Sequence, residues 1–220
     1  MAAAKDKGRY HKGNVRPALI ATAIEMLKTD AISGLSLNKI ARAVGVSPPA
    51  VYNHFRNKEA LLAAVAVEGF ERLIAVQQTG ENSKQPLIEV MRASAVRYLE
   101  FAYDDPNLYR LMFRHEIENR DDYPLLIAVE DKLFALSARR LYPDYSPDAP
   151  LRSYPLVLTF WAAMHGFAML IADEQLQART RGDLVAYANM AVDLLIGGAS
   201  KGAPAGRSRT PASKRPRSKA

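Results

Sequence analysis

Two residues, Gly45 and Val46, are all that separate two segments that each carry their own helix-start signal. Ser36 is a good N-cap for a short helix whose Ile40, Ala41 and Val44 point inward, and Gly45 suits the left-handed position that stops a helix. Ser47 then opens the next helix, with Pro48 and Pro49 in its first turn. Proline costs little there, because the first N–H groups of a helix have no intrahelical acceptor and the fixed φ preorganises the turn. Two helices joined so tightly must cross steeply, and Ala41 lacks the bulk that would hold them apart.

Nothing elsewhere reads as strand: there is no run of period-two alternation and no Asn-Gly or Asp-Gly hairpin turn between β-branched segments. The expected fold class is all-α, a three-helix helix-turn-helix unit followed by a C-terminal helical bundle. The first helix carries Ile20, Ala23, Ile24 and Leu27 after Pro17, and Gly34 supplies the turn that follows. Asn57 caps a long helix with Leu61, Leu62, Val65, Phe70, Leu73 and Ile74 that ends near Gly80. Further helices are predicted over residues 86–103, 106–116, 124–141, 151–172 and 180–196, several with proline just inside their start. Thr180 and Asp183 form a capping box with Asp in place of Glu, and Gly197 with Gly198 is expected to end the last helix.

Charge divides the chain of 220 residues. Residues 1–60 hold ten basic and four acidic groups, 61–200 hold thirteen and nineteen, and 201–220 hold seven and none. Contact with a polyanion is therefore expected only at the two ends, since the acidic middle would be repelled. The last stretch has no large apolar residue and reads as a disordered basic tail. There is no cysteine, which excludes disulfides and thiolate metal sites and fits a reducing compartment. The charged N-terminus shows no apolar stretch before a cleavage site, so a secretory leader is not expected and a cytoplasmic, nucleoid-associated location is. Residues 153–172 carry no formal charge and are long enough to span a bilayer, but Pro155, Thr159, His165 and the flanks Arg152, Asp173 and Glu174 favour a helix surrounded by protein.

A short capped helix held steeply across another on the basic end of the chain is the geometry of a helix-turn-helix DNA reader. The residues go further. The stretch SGLSLNKIARAVGVSPPAVYNHFRNKEALL resembles the DNA-binding domain of the TetR/AcrR family of bacterial transcription regulators, through Gly34, Ile40, Ala41, Gly45, Val46, Ser47, Val51, Tyr52, His54, Phe55, Lys58 and Leu61. The resemblance implies a recognition helix at 48–54 in the major groove, with Tyr52 and His54 on the DNA backbone and Lys58 gripping phosphate. Val51 and Phe55, four apart, are expected to face the core. The predicted DNA-facing set is Ser36, Asn38, Lys39, Ser47, Pro48, Pro49, Ala50, Tyr52, Asn53, His54 and Lys58. Base reading looks lean, because Pro48, Pro49 and Ala50 can offer only apolar contact, for instance to a thymine methyl; Asn53 is equally a polar reader, assisted by Asn38 or Lys39 from the second helix, or a solvated surface amide. A basic arm of Lys5, Lys7, Arg9, Lys12 and Arg16 precedes the first helix, suited to backbone or minor groove and equally to solvent.

In the second half, Trp161, His165 and Gly166 resemble the Trp-x-x-x-His-Gly signature of one subgroup of TetR C-terminal domains, with DPNLYRLMF upstream. That likeness implies a small-molecule effector held between helices and a homodimer formed through the last two long helices. The expected organisation is an arm at 1–16, a DNA-binding domain at 17–60, an effector and dimerisation domain at 61–199 and a tail at 200–220. Tyr98, Phe101, Tyr109, Met112, Phe113, Trp161, Met164 and His165 are the candidate effector contacts, a mostly apolar and aromatic lining of which most members also serve the core.

The expected function is a dimeric repressor on a palindromic double-stranded DNA operator, released by a small apolar or aromatic effector. No nucleophile and base stand at a recognisable spacing, no glycine-rich phosphate cradle is present, and HEIEN at 115–119 lacks the second histidine of a zinc helix, so no enzyme, metal or cofactor is expected. The alternative is an architectural DNA-binding protein that uses the tail SKRPRSK at 213–219.

Overall fold

A computed structural model of the chain describes residues 15–79, 85–113 and 117–201. Among them are nine α-helices and no strand: α1 Val15–Leu27, α2 Leu37–Val44, α3 Pro48–Tyr52, α4 Lys58–Gln78, α5 Leu87–Asp104, α6 Pro106–Phe113, α7 Pro124–Leu141, α8 Pro155–Ala172 and α9 Arg181–Lys201. The all-α expectation holds. The basic residues Lys5, Lys7, Arg9 and Lys12, and residues 202–220 of the tail, lie outside the described residues, whereas Arg16 stands inside α1.

The caps explain where the helices begin and end. Ser36 Oγ accepts from Lys39 N at 3.2 Å, and Asn57 Oδ1 accepts from Ala60 N at 2.8 Å, each satisfying a donor that the first turn leaves free. Gly45 sits at φ 80°, its N–H and that of Val46 closing back on the carbonyls of Arg42 and Ala41, so α2 ends in a Schellman-type turn. Ser47 occupies the N-cap of α3, yet its side chain caps nothing. Pro48 and Pro49 have no N–H to offer, and the next amide, Ala50 N, bonds the Ser47 carbonyl at 2.9 Å.

Helices α1, α2 and α3 close a small core of Leu19, Ala23, Ile24, Leu27, Ile40, Ala41, Val51 and Phe55, which Leu61 and Leu62 of α4 join. From there α4 runs on into the larger bundle, buried along Val65, Ala66, Phe70, Leu73 and Ile74 at helical spacing and packed against α6 and α7. The remaining core lies where α5, α8 and α9 meet.

Three expectations are corrected. The helix predicted from residue 151 is a 3-10 turn at Leu151–Ser153 followed by a break at Tyr154, because a residue before proline is pushed out of the helical region, and α8 starts at Pro155. Gly197 and Gly198 do not stop α9, which continues to Lys201. Glycine weakens a helix but ends one only where it takes the left-handed conformation, as Gly45 does. Finally, α8 has the length and hydropathy to cross a membrane, but only 33% of it is buried within the chain. Val157, Phe160, Met164, Ala168 and Ile171 face the bundle, while Thr159, Ala162, Gly166 and Leu170 form an open stripe.

Candidate functional site

The head of the molecule presents two exposed surfaces side by side. On α2 the core takes Leu37, Ile40, Ala41 and Val44, which leaves Asn38, Lys39 and Arg42 outward together. On α3 Val51 is fully buried and Phe55 shows 2% of its surface, as their spacing predicts. Ser47, Pro48, Pro49, Tyr52, Asn53 and His54 are exposed and Ala50 is half-buried. Tyr52 shows 53% of its surface, so packing within the chain does not account for it.

Several of the predicted contacts already have partners. Ser36 is the α2 cap. Lys39 is ion-paired with Asp30, and its hydrogen bond holds that carboxyl below the usual carboxylate range. Lys58 donates from Nζ to the carbonyl oxygens of Ile32 at 3.2 Å and Ser33 at 3.3 Å, tying the start of α4 to the 3-10 turn before α2. Arg42 has no ion pair among the described residues. The sequence reading leaves Arg42 out, although its spacing of four from Asn38 places it on the same face.

Deeper in the bundle, a cavity of about 620 Å³ opens between α4, the end of α6, the 3-10 turn Arg120–Asp122, α7, the loop around residue 147 and α8. Phe70, Phe113, Phe134, Tyr145 and Trp161 give it aromatic walls, and Arg120, Glu130, Asp131, Lys132 and Arg139 give it a charged border. Ligand pockets usually fall between roughly 300 and 1,000 Å³ with this kind of mixed lining. Of the eight predicted effector contacts, Phe113 and Trp161 line this cavity. Tyr98 and Met164 border a space of about 20 Å³ next to it, which shares Leu133 and Trp161 as walls. Phe101, Tyr109 and Met112 are buried in packing. Phe70 and Phe134 were invisible as contacts in the sequence, where each is one apolar residue of a core-facing helix stripe.

Behind the cavity wall lies a buried polar network. The Tyr109 hydroxyl is 3.1 Å from the Tyr98 hydroxyl and 2.8 Å from His165 Nδ1. Burial pushes both tyrosines well above the usual phenol range and pushes His165 down, so all three stay neutral near pH 7. His165 stacks on Trp161 with centroids 5.6 Å apart and meets the edge of Phe113 at 4.7 Å. The imidazole thus supports the two rings that line the cavity, and its own polar atom is satisfied from behind.

A short proline-fronted helix exposed on a small helical head, with one long helix running from that head to a cavity-bearing bundle, defines a helix-turn-helix DNA-binding regulator with a ligand-binding domain. Residues 19–65 match the bacterial regulatory proteins of the tetR family, and residues 91–195 match the tetracyclin repressor-like C-terminal domain. The chain belongs to the TetR family of transcriptional regulators, proteins that bind DNA and small-molecule effectors. It is 24% identical over 163 residues to the uncharacterized HTH-type transcriptional regulator YobS of Bacillus subtilis (strain 168), covering 74% of this chain and 81% of that one. A protein of unknown function from Rhodococcus sp. RHA1 shares 29% identity and superposes with a TM-score of 0.70, covering 87% of this chain and 98% of the other. A TetR variant from Acinetobacter baumannii AYE in complex with minocycline has the same fold at 20% identity, TM-score 0.53, over 88% of this chain and 98% of that one.

Proposed function

We propose that the chain is a homodimeric, effector-released repressor, with residues 17–60 as the reading head and 61–199 as the effector and dimerisation domain. The observation that carries this reading is the course of α4, whose first turn is pinned to the head by Lys58 and whose Phe70 stands in the cavity wall. Twelve residues of helix separate the two, about 18 Å at 1.5 Å per residue, so a ligand that displaces Phe70 moves the base of α3. An effector that binds better to the displaced arrangement draws the protein away from the operator by that difference in affinity.

In this reading Tyr52 and His54 position the head on phosphates, Asn53 reads a base edge, Arg42 and Lys39 add backbone contacts, and the effector is a mostly apolar or aromatic molecule held among Phe70, Phe113, Phe134 and Trp161. That a fold relative is found with minocycline supports a cavity of this kind as a small-molecule site. The twofold mate joins through α8 and α9 and sets two reading heads about 34–36 Å apart, as a palindromic operator on the cytoplasmic chromosome requires. The test is selection of duplexes from a random-sequence pool at physiological salt. A short palindrome bound as a dimer is the expected result, and binding with no sequence preference would remove the reading.

A further inference from the structure

The turn between α6 and α7 touches both sites at once. Arg56 lies two residues after His54 and immediately before the α4 cap. Its Nη2 donates to Asp122 Oδ2 at 2.8 Å and to the Tyr123 hydroxyl at 3.4 Å, and its guanidinium stands 5.5 Å over the Tyr123 ring. One turn further along α4, Glu59 Oε1 accepts from Asn119 N at 3.2 Å. Between these two attachments stands Arg120, which turns the other way, ion-pairs with Glu130 of α7 and lines the cavity together with it. The 3-10 geometry explains the division: with three residues per turn, Asn119 and Asp122 fall on one side and Arg120 on another.

The attachments have the size a switch needs. The side chains of Arg56 and Asp122 are 60% and 53% exposed, so that pair alone contributes little. Added to the ring contact and the Asn119 hydrogen bond it makes a tie that can bias the position of the head and still be released.

We propose that residues 119–123 form a latch between cavity and head: a ligand that parts Arg120 from Glu130 shifts the turn, withdraws Asp122 and Tyr123 from Arg56, and loosens the seat of α3 on DNA. The latch rests on the reading of the chain as an effector-responsive DNA-binding protein, and it runs through residues 119–123 to the base of α3 and the first turn of α4 rather than along α4 from Phe70.

Glu130→Gln imitates the ligand without requiring its identity, because it frees Arg120 from inside the cavity. The full-length protein, Glu130→Gln, Arg56→Gln and the double variant are titrated by fluorescence anisotropy against a duplex that the unaltered protein selects from a random pool. Glu130→Gln is expected to weaken binding about fivefold or more in the unaltered background and less than about twofold when Arg56→Gln has already removed the ion pair to Asp122 and the contact with the Tyr123 ring, the lower end of ordinary allosteric coupling. Tyr123→Ala combined with Asp122→Ala, which removes both partners from the other side, reproduces the loss of coupling. Glu71→Gln, which breaks the Lys132–Glu71 pair on the same cavity border, shows no coupling to Arg56→Gln. Helix content by circular dichroism confirms that each variant is folded. Equal losses in both backgrounds, no loss from Glu130→Gln, or equal coupling from Glu71→Gln overturns the latch while the regulator reading stands. If the unaltered protein selects no sequence at all, the regulator reading falls first and the latch with it.

Discussion

Gly45 holds the tight junction at φ 80°, where a β-carbon crowds the carbonyl that follows. No neighbour lies within 4 Å of the place a β-carbon would take, so the cost of Gly45→Ala is conformational alone, about 1 kcal/mol, read as a lower urea midpoint. His165 gives a second prediction at the same scale. Its folded pKa lies below the free value of 6.5 because burial disfavours the charged ring, so below that pH the unfolded chain takes up a proton that the folded chain resists. Its contribution is complete above pH 6.5 and is lost as pH falls toward the depressed folded value. Asp30 and Asp183 are shifted down from 3.8, so their contributions fail only in the acid carboxylate range. Urea midpoints of the unaltered protein should therefore decline between pH 7 and pH 5, and His165→Gln should flatten that decline. An equal slope in the variant would mean that another group carries it.

Helix α4 packs against α6 at Gly69, where a β-carbon would meet Met112 Sδ at 2.7 Å and Leu108 Cδ1 at 3.1 Å. These are ends of flexible side chains that can shift for a single methyl, but Met112 is fully buried, so the larger side chain of Gly69→Val overpacks the seam and is expected to cost about 1–3 kcal/mol by denaturant titration. The sequence shows this seam poorly, since Gly69 reads as an ordinary weak spot in a helix. It shows the head well, because Ser36, Gly45, the two prolines and Asn57 act on neighbours within four residues, and local caps are visible in one dimension. Where local signals misled, a second local effect had won: the prolines emptied Ser47 of donors, and Pro155 drove Tyr154 out of the helix. The cavity was mostly hidden. Phe70, Phe134 and Trp161 come from helices far apart in the chain, and only packing decides which aromatic side chains of a core border a void.

At the scale of the whole molecule the unresolved demand is the open side of α8 and α9. Gly166 and Leu170 on α8, and Met190 and Leu194 on α9, leave apolar surface in water, with Leu194 showing 70% of its area and Leu170 41%. A β-carbon at Gly166 would meet nothing within 4 Å, so the surface has no side chain of the chain over it at a point where another backbone can come close. These are also the two helices through which the proposed dimer joins, with its twofold axis setting both heads on one face of the duplex. Leu170→Glu combined with Leu194→Glu places four like charges across that axis without disturbing either helix's buried side. The double variant is therefore expected to keep its helix content, to sediment as a monomer at concentrations where the unaltered protein is a dimer, and to bind its selected palindrome at least about a hundredfold more weakly, because each half-site then loses the effective concentration its partner supplied. A double variant that remains dimeric would move the interface elsewhere. One that is monomeric yet binds the palindrome undiminished would show that a single head suffices, and the twofold arrangement of reading helices would then have no role in recognition.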